Sequence, residues 1–267
     1  MNFQNVYWDW DSMREDHHSA SILAIGDSWF WYPFPGGSLV NRLGPLVAPK
    51  EHFILAIGNN GAEAYDYVHG KYKNAVTTAL NFHGDGLSAV FLSGGGNDFA
   101  GFNDLRPLLN LNCSNAHSAE DCFKSGDAEG TLAGLMKKIS EDYALLIGQI
   151  MVKCPSGVKI FLHNYDYAIP SGKGLFGNDS DWLKPALDDA QVPAGLQRDC
   201  TKYLIDRFSD VLKTLRDQGN GQVVLVDSRN TLVDSDWANE LHPKPEGFAK
   251  IAEEKWAPAL KTNGLAA

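Results

Sequence analysis

The chain has 267 residues, a formal net charge of −10 and no run of apolar residues long enough to cross a membrane. A hydrophobic fraction of 44% is sufficient for one domain with a sizeable core, so we expect a single domain over residues 1–267. The acidic balance argues against nucleic acid as a partner, because phosphate binding requires a basic surface. These properties predict a soluble globular protein.

Five short apolar runs predict buried strands, at residues 22–25, 53–57, 89–92, 158–163 and 223–226. Helical spacing of apolar residues predicts helices over 130–151, 200–216 and 248–260. Alternating strands and helices indicate a central five-stranded parallel sheet with helices on both faces, an α/β fold. Functional residues in such sheets lie beyond the carboxyl ends of the strands.

Two long segments interrupt this alternation, at about 102–129 and 170–194. Both are polar or rich in glycine, aspartate and proline, and both are too long for simple connections. We expect them to be functional loops above the site.

The first 19 residues are polar, acidic and aromatic, unlike a secretory signal with its basic end and apolar centre. We therefore expect either a cytoplasmic protein or a secreted one whose signal has been removed. Cys113 and Cys122 could close a short loop, whereas Cys154 and Cys200 are isolated. A reducing compartment would keep all thiols free, so this pairing stays open. No cysteine spacing fits a zinc site, and we expect no metal.

Three motifs offer the groups needed for acyl transfer by a serine. Gly26-Asp27-Ser28 follows the first strand, Gly96-Asn97-Asp98 follows the third, and His242-Pro243 lies near the C-terminus. Nucleotide motifs are not met: residues 94–99 lack the G-x-G-x-x-G spacing, and the Gly-Lys pair at 172–173 is followed by another glycine. The G-x-S-x-G elbow is also absent, because residue 30 is phenylalanine. We expect no cofactor.

The order and spacing of these motifs resemble the SGNH (GDSL-type) hydrolase superfamily, from about residue 21 to residue 252. The resemblance implies a flavodoxin-like three-layer α/β/α sandwich and the activity of a serine esterase or lipase. It implies that Ser28 is the nucleophile and His242 the general base. It also implies that the backbone N–H groups of Ser28 and Gly61 and the side-chain amide of Asn97 form the oxyanion hole. A glycine at residue 61 would let the backbone approach closely, and activity should follow the histidine near pH 6.5.

The sequence departs from the family at the third catalytic position. The usual acid lies three residues before the histidine, where this chain has Asn239, and Glu240 is adjacent. An amide can still accept a hydrogen bond from the histidine and orient its ring. We favour Asn239 because residues three apart share one face of a helical turn. In an extended segment Glu240 would be the partner, and a serine–histidine dyad is the remaining alternative.

The predicted reaction is hydrolysis of a small carboxylic ester through an acyl-enzyme. Alternatives are a carbohydrate acetylesterase or lysophospholipase with the same site, or a non-catalytic binding domain. The aromatic residues at 29–34 and 161–170 could wall the pocket, and His163, at the end of a strand, could line it.

Overall fold

The computed structural model describes residues 5–32, 37–174, 177–178 and 182–267. Its strands are β1 Val6–Tyr7, β2 Ile22–Gly26, β3 Ile54–Gly58, β4 Ala89–Ser93, β5 Lys159–His163, β6 Lys173–Gly174, β7 Gly177–Asn178 and β8 Val223–Val226. The main sheet has the order β1-β3-β2-β4-β5-β8, and every pair in it is parallel. β6 and β7 form a separate antiparallel pair.

All five predicted strands are present, but the sheet has six strands rather than five. The extra strand, β1, contributes only two residues, which pair with Ile54 and Leu55 at the edge of the sheet. So short a strand carries no periodic signal of its own and forms only because β3 offers a free edge.

The helices flank the sheet in two groups, which confirms the three-layer architecture. They are α1 Trp10–Glu15, α2 Ser28–Trp31, α3 Leu39–Val47, α4 Ala64–Val68, α5 Lys73–His83, α6 Asn97–Ala100, α7 Phe102–Leu105, α8 Leu132–Lys153, α9 Leu183–Asp189, α10 Ala194–Gln218, α11 Pro245–Ile251 and α12 Ala257–Thr262. A π-helical segment, Ala252–Trp256, joins α11 to α12. One group is formed by α4, α5, α8 and α10, and the other by α3, α11, α12 and the π segment.

The predicted helices correspond to α8, α10 and the continuous run from α11 to α12. Thr131 caps the N-terminus of α8, because its hydroxyl accepts a hydrogen bond from the Gly134 N–H at 3.1 Å. Its apolar stripe, with Ile139 and Ile150 fully buried, lies on the inner face of the helix, which packs beside α4, α5 and α10. The helical spacing of apolar residues in the sequence therefore predicted the buried face of this helix correctly.

The strand register aligns the carboxyl ends of β2, β3 and β4, from which the motif residues emerge. Gly26 of the central strand β2 pairs with Gly58 of β3 and with Ser93 of β4. Gly58 has φ +118°, and a Cβ there would collide with the Gly26 carbonyl oxygen. The loops after these three strands therefore start at one level and in close contact.

The two long segments are more structured than the sequence indicates. The first contains α7 and short 3₁₀ turns, and it buries Leu105, Leu109 and Phe123. The second contains β6, β7 and α9, with residues 175–176 and 179–181 outside the described residues. A few buried apolar residues stabilise the described parts of these segments. Such residues are too few to give a periodic pattern in the sequence. The four cysteines are free, so Cys113 and Cys122 are not bridged.

Candidate active site

Ser28, the predicted nucleophile, is the first residue of α2. The preceding Asp27 caps this helix, because its carboxylate accepts a hydrogen bond from the Trp29 N–H at 3.0 Å. The Ser28 hydroxyl lies 2.8 Å from Nε2 of His242. Both side chains are mostly buried. The structure therefore brings together a serine and a histidine that are 214 residues apart in sequence.

Asn239 is the hydrogen-bond partner of the other ring nitrogen. Its Oδ1 lies 3.0 Å from Nδ1 of His242 and also accepts from the backbone N–H groups of Leu241 and His242. Two backbone donors identify this atom as the oxygen of the amide. Since an amide oxygen cannot donate, Nδ1 carries the proton and Nε2 is free to accept from Ser28.

The turn that makes this contact is not helical, contrary to our expectation. A bridge between Trp237 and Pro243 closes it, and the Ala238 N–H donates to the His242 carbonyl at 2.9 Å. Within the turn, the Asn239 side chain bonds backbone groups two and three residues ahead, a capability typical of asparagine in turns. Asn239 therefore hydrogen-bonds the His242 ring through a turn of a different kind from the one we expected, and its place as third catalytic member stays a prediction.

Glu240 does not face His242, which contradicts the alternative in which it orients the histidine. Its carboxylate accepts from the N–H groups of Gly172 at 2.7 Å, Leu183 at 2.8 Å and Lys184 at 3.2 Å. Burial raises its pKa, although these three donors favour the charged form. Glu240 thus anchors the segment 170–194 beside the site.

Two aromatic residues contact the His242 ring, and the sequence did not identify either as its neighbour. The ring of Tyr32 stacks on it with centroids 4.0 Å apart and planes 21° apart. The Tyr32 hydroxyl also accepts a hydrogen bond from the Asn239 amide at 3.2 Å. Trp182 meets the ring edge-on at 5.6 Å. Tyr32 belongs to the aromatic run after Ser28, but its position in that run gave no indication of this role.

Burial lowers the pKa of His242 to about 3, because desolvation disfavours the imidazolium. No carboxylate among the described residues hydrogen-bonds the ring to oppose this effect. The ordinary value near 6.5 that we expected from the sequence does not apply. The ring is therefore neutral, and able to accept a proton, at neutral and mildly acidic pH.

The predicted oxyanion donors follow β2, β3 and β4: Ser28 and Asn97 begin the helices α2 and α6, and Gly61 lies in the loop after β3. Asn97 lines the same cleft as Ser28, and one N–H of its amide donates to the Ala62 carbonyl at 3.0 Å. Gly61 has φ +79°, and a Cβ there would meet no atom within 4 Å. The positive φ favours glycine at this position, and its close approach to an oxyanion stays a prediction.

Asp98 provides a second link between two of these loops. Its carboxylate accepts the Ala64 N–H at 2.9 Å, beside the contact of Asn97 with Ala62. Burial, together with nearby acidic groups, raises the pKa of Asp98 to about 8. The two hydrogen bonds fix the loop that carries Gly61 against the loop that carries Asn97.

A buried chain of hydrogen bonds ties the serine loop to its neighbours. The Gly96 N–H donates to the Tyr165 hydroxyl at 3.0 Å, and that hydroxyl donates to the Asp27 carboxylate at 2.6 Å. Burial raises the pKa of Asp27 to about 7. Tyr165, which we expected to wall the pocket, also organises it.

A narrow cleft with a cavity volume of about 40 Å³ opens beside Ser28 and Asn97. Most of its walls are apolar, formed by Phe99, Ala100, Tyr165, Ala168, Leu183, Leu204, Ile205 and Leu241. His163 is not among the lining residues; it is fully buried between the hydroxyls of Ser93 and Ser228. Burial lowers its pKa to about 3. Among the described residues there is no cluster of ligands suited to a metal ion.

The chain resembles several solved structures, although no family model and no curated protein matches it. A phospholipase A1 from Streptomyces albidoflavus has a TM-score of 0.53 and 13% identity, over 92% of this chain and 99% of that one. An extracellular lipase from Streptomyces rimosus has a TM-score of 0.51 and 13% identity, over 92% of this chain and 100% of that one. A protein from Agrobacterium tumefaciens, provisionally assigned as an arylesterase, has a TM-score of 0.51 and 17% identity, over 91% of this chain and 99% of that one.

These likenesses show that the chain shares the α/β fold of these structures. At such low identities they show the fold alone. Within the described residues, no helix is both long and apolar enough to span a membrane.

Proposed function

We propose that the chain is a serine hydrolase that cleaves small carboxylic esters through an acyl-enzyme. The observation that carries the proposal is the continuous contact from Ser28 Oγ to His242 Nε2, at 2.8 Å, and from His242 Nδ1 to Asn239 Oδ1, at 3.0 Å. A nucleophile, a base and an orienting acceptor in this arrangement are the requirements of acyl transfer.

In the proposed mechanism, the Ser28 oxygen attacks the ester carbonyl while Nε2 of His242 takes the hydroxyl proton. The N–H groups of Ser28 and Gly61 and the Asn97 amide donate to the oxygen of the tetrahedral intermediate. His242 then returns the proton to the departing alcohol. Water, deprotonated by the same histidine, hydrolyses the acyl-enzyme and releases the acid.

The apolar cleft supports an aliphatic acyl group as the part of the ester that is bound. The polar groups at its margin already have partners: Thr201 donates to the Ala168 carbonyl at 2.9 Å, and Asp166 accepts the backbone N–H groups of residues 230–232. A sugar hydroxyl would leave its own hydrogen bonds unmade there. This favours simple acyl esters over an acylated sugar bound in the cleft.

The experiment is turnover of a p-nitrophenyl ester series, from acetyl to long acyl chains, with labelling by a fluorophosphonate. The wild type should turn over esters and incorporate one label at Ser28. Ser28→Ala should lose both, whereas Ser114→Ala, at an exposed serine, should keep both. Absence of turnover and label in the folded wild type would favour a non-catalytic binding domain.

The acyl assignment has its own test. Ala168→Leu adds bulk to the wall of the cleft and should move the preference in kcat/KM towards shorter chains. Ala144→Leu, on the exposed face of α8, is the matched control. An unchanged chain-length profile in Ala168→Leu would place the acyl chain elsewhere.

A further inference from the structure

Both ring nitrogens of His242 are hydrogen-bonded to uncharged groups. Nε2 meets the Ser28 hydroxyl at 2.8 Å, and Nδ1 meets the amide oxygen of Asn239 at 3.0 Å. In a triad with an acid, the carboxylate stabilises the imidazolium that forms when the serine loses its proton. An amide brings no such charge, and the adjacent Glu240 carboxylate bonds the segment 170–194 instead. The cation formed in the proposed mechanism therefore needs another source of stabilisation.

Tyr32 lies against the His242 ring in the geometry of a cation–π contact. The two ring centroids are 4.0 Å apart and the ring planes differ by 21°, so the face of the phenol ring covers the imidazole. A cation within about 6 Å of such a centroid is attracted by the negative charge of the π system. Trp182, the other aromatic neighbour, lies at 5.6 Å with its plane 72° from that of the imidazole. Of the two, Tyr32 offers the parallel face.

The ring of Tyr32 and its hydroxyl have separate contacts. The residue is buried, and its hydroxyl accepts a hydrogen bond from the Asn239 amide at 3.2 Å. Burial raises the pKa of Tyr32, so the phenol is uncharged at neutral pH. The backbone N–H groups of Leu241 and His242 fix the Asn239 oxygen independently of that hydroxyl. Tyr32 therefore acts on the charge of the histidine through its ring face, which a substitution can alter alone.

We propose that Tyr32 is a positioning residue whose ring face stabilises the His242 imidazolium where this chain has no catalytic carboxylate. The inference rests on the proposed function, in which Nε2 of His242 takes the Ser28 proton as the bond from Oγ to the ester carbonyl forms. The same proton then leaves with the alcohol, and the cycle repeats with water. The attraction is weaker than the effect of burial, so the resting ring stays neutral and only the charged ring gains.

The test changes the charge of the ring face while it keeps the shape of the side chain. Position 32 is replaced by phenylalanine and by its mono-, tri- and pentafluorinated forms, because fluorine withdraws electron density from the face. Tyr32→Phe should keep kcat for a p-nitrophenyl ester within about threefold, and fluorination should then lower kcat stepwise, by about 2- to 30-fold in all. KM should change little, because the described lining of the cleft does not include Tyr32.

The same fluorinated residues at position 91 are the matched control. Phe91 is fully buried in β4, and its ring packs on Phe161 and Trp256. Fluorination there should leave kcat unchanged. Far-UV circular dichroism and Tm establish that each variant is folded. The monofluorinated variant, which differs from phenylalanine by one atom, decides the direction if the pentafluorinated variant does not fold.

A second readout measures the imidazolium directly. In the adduct of Ser28 with a fluorophosphonate, NMR titration of His242 should give a pKa that falls along the same series at position 32. A level kcat across the series, or equal losses at positions 32 and 91, in an enzyme that turns over esters and is labelled at Ser28 would overturn this inference alone. Absence of both turnover and label in the folded wild type would overturn the proposed function and this inference with it.

Discussion

At the scale of single residues, the neutral amide of Asn239 determines how the candidate base behaves. The amide oxygen orients the His242 ring but adds no negative charge to stabilise an imidazolium. Burial therefore acts with no negative charge to oppose it, and the pKa of His242 falls to about 3. Under the proposed mechanism the base is ready at neutral pH, but its protonated form lacks a charged partner.

Asn239→Asp should raise the pKa of His242, because an adjacent carboxylate favours the imidazolium. The acidic limb of the kcat/KM profile should lie below about pH 5 in the wild type and move to higher pH in the variant. Activity at pH 8 should be kept or increased. The measurement is kcat/KM for a p-nitrophenyl ester between pH 4 and 9.

Asn239→Ala is the companion variant, and it should lower kcat about tenfold or more, because the ring loses its orienting acceptor. Identical pH profiles for the wild type and Asn239→Asp would show that this side chain does not interact with the base during turnover.

Asn97→Ala should lower kcat by about 10²–10³ and change KM much less, because an oxyanion donor acts on charge that develops in the transition state. The measurement is kcat and KM for Asn97→Ala, with Asn81→Ala as the control, because Asn81 is an exposed asparagine of α5. Since Asn97 also donates to the Ala62 carbonyl, Tm is recorded for both variants. An effect confined to KM would assign Asn97 to substrate binding.

At the scale of elements, the site depends on hydrogen bonds between loops that leave neighbouring strands. Asn97 and Asp98 hold the loop after β3, while Tyr165 joins the loop after β5 to the serine loop. Glu240 performs the same task for the segment 170–194. The strands set where these loops begin, and the hydrogen bonds between the loops hold their far parts in place.

Glu240→Gln should destabilise the segment 170–194 rather than abolish catalysis outright. The carboxylate accepts three backbone N–H groups, and an amide would turn a donor towards at least one of them. The cost is on the order of 1–3 kcal/mol. Faster amide hydrogen exchange at Leu183 and Lys184 should report it, with Glu253→Gln as an exposed control.

Unchanged exchange together with a large fall in kcat in Glu240→Gln would instead place Glu240 in the catalytic machinery.

At the scale of the whole molecule, buried titratable groups make stability depend on pH in opposing ways. The pKa of Asp27 is raised to about 7, so its contribution is full below about pH 4 and is lost as the pH rises to about 7. The pKa of His163 is lowered to about 3. Its contribution is therefore full above about pH 6.5 and is lost as the pH falls towards 3.

Asp27→Asn should remove the first of these dependences. Its amide can still accept from Trp29 and bond the Tyr165 hydroxyl, so the fold should be kept. Relative to this variant, the wild type should lose a few kcal/mol of unfolding free energy between pH 4 and 7, at about 1.4 kcal/mol per unit of pKa shift. Urea unfolding at several pH values measures this, with Asp127→Asn as an exposed control. Parallel curves for the wild type and Asp27→Asn would contradict it.

Local patterns in the sequence were sufficient for the five main strands, the long helices and the fold class. A strand such as 223–226 is recognisable because burial on both faces demands a continuous apolar run. Ser28, Asn97 and His242 were identifiable as candidates because each stands in a short motif, and their catalytic roles stay predictions. The edge strand β1 and the ordered parts of the two long segments were not predictable, because they depend on distant neighbours.

The sequence by itself determined the sheet and the side chains that its strand ends present, because apolar periodicity is a property of neighbouring residues. Only the tertiary structure decided between Asn239 and Glu240. Both side chains are close to His242 in the chain, and the path of one turn directs the amide to the ring and the carboxylate to another segment. Tyr32 stacks on a ring 210 residues away for the same reason: contacts between distant segments depend on how the whole chain packs.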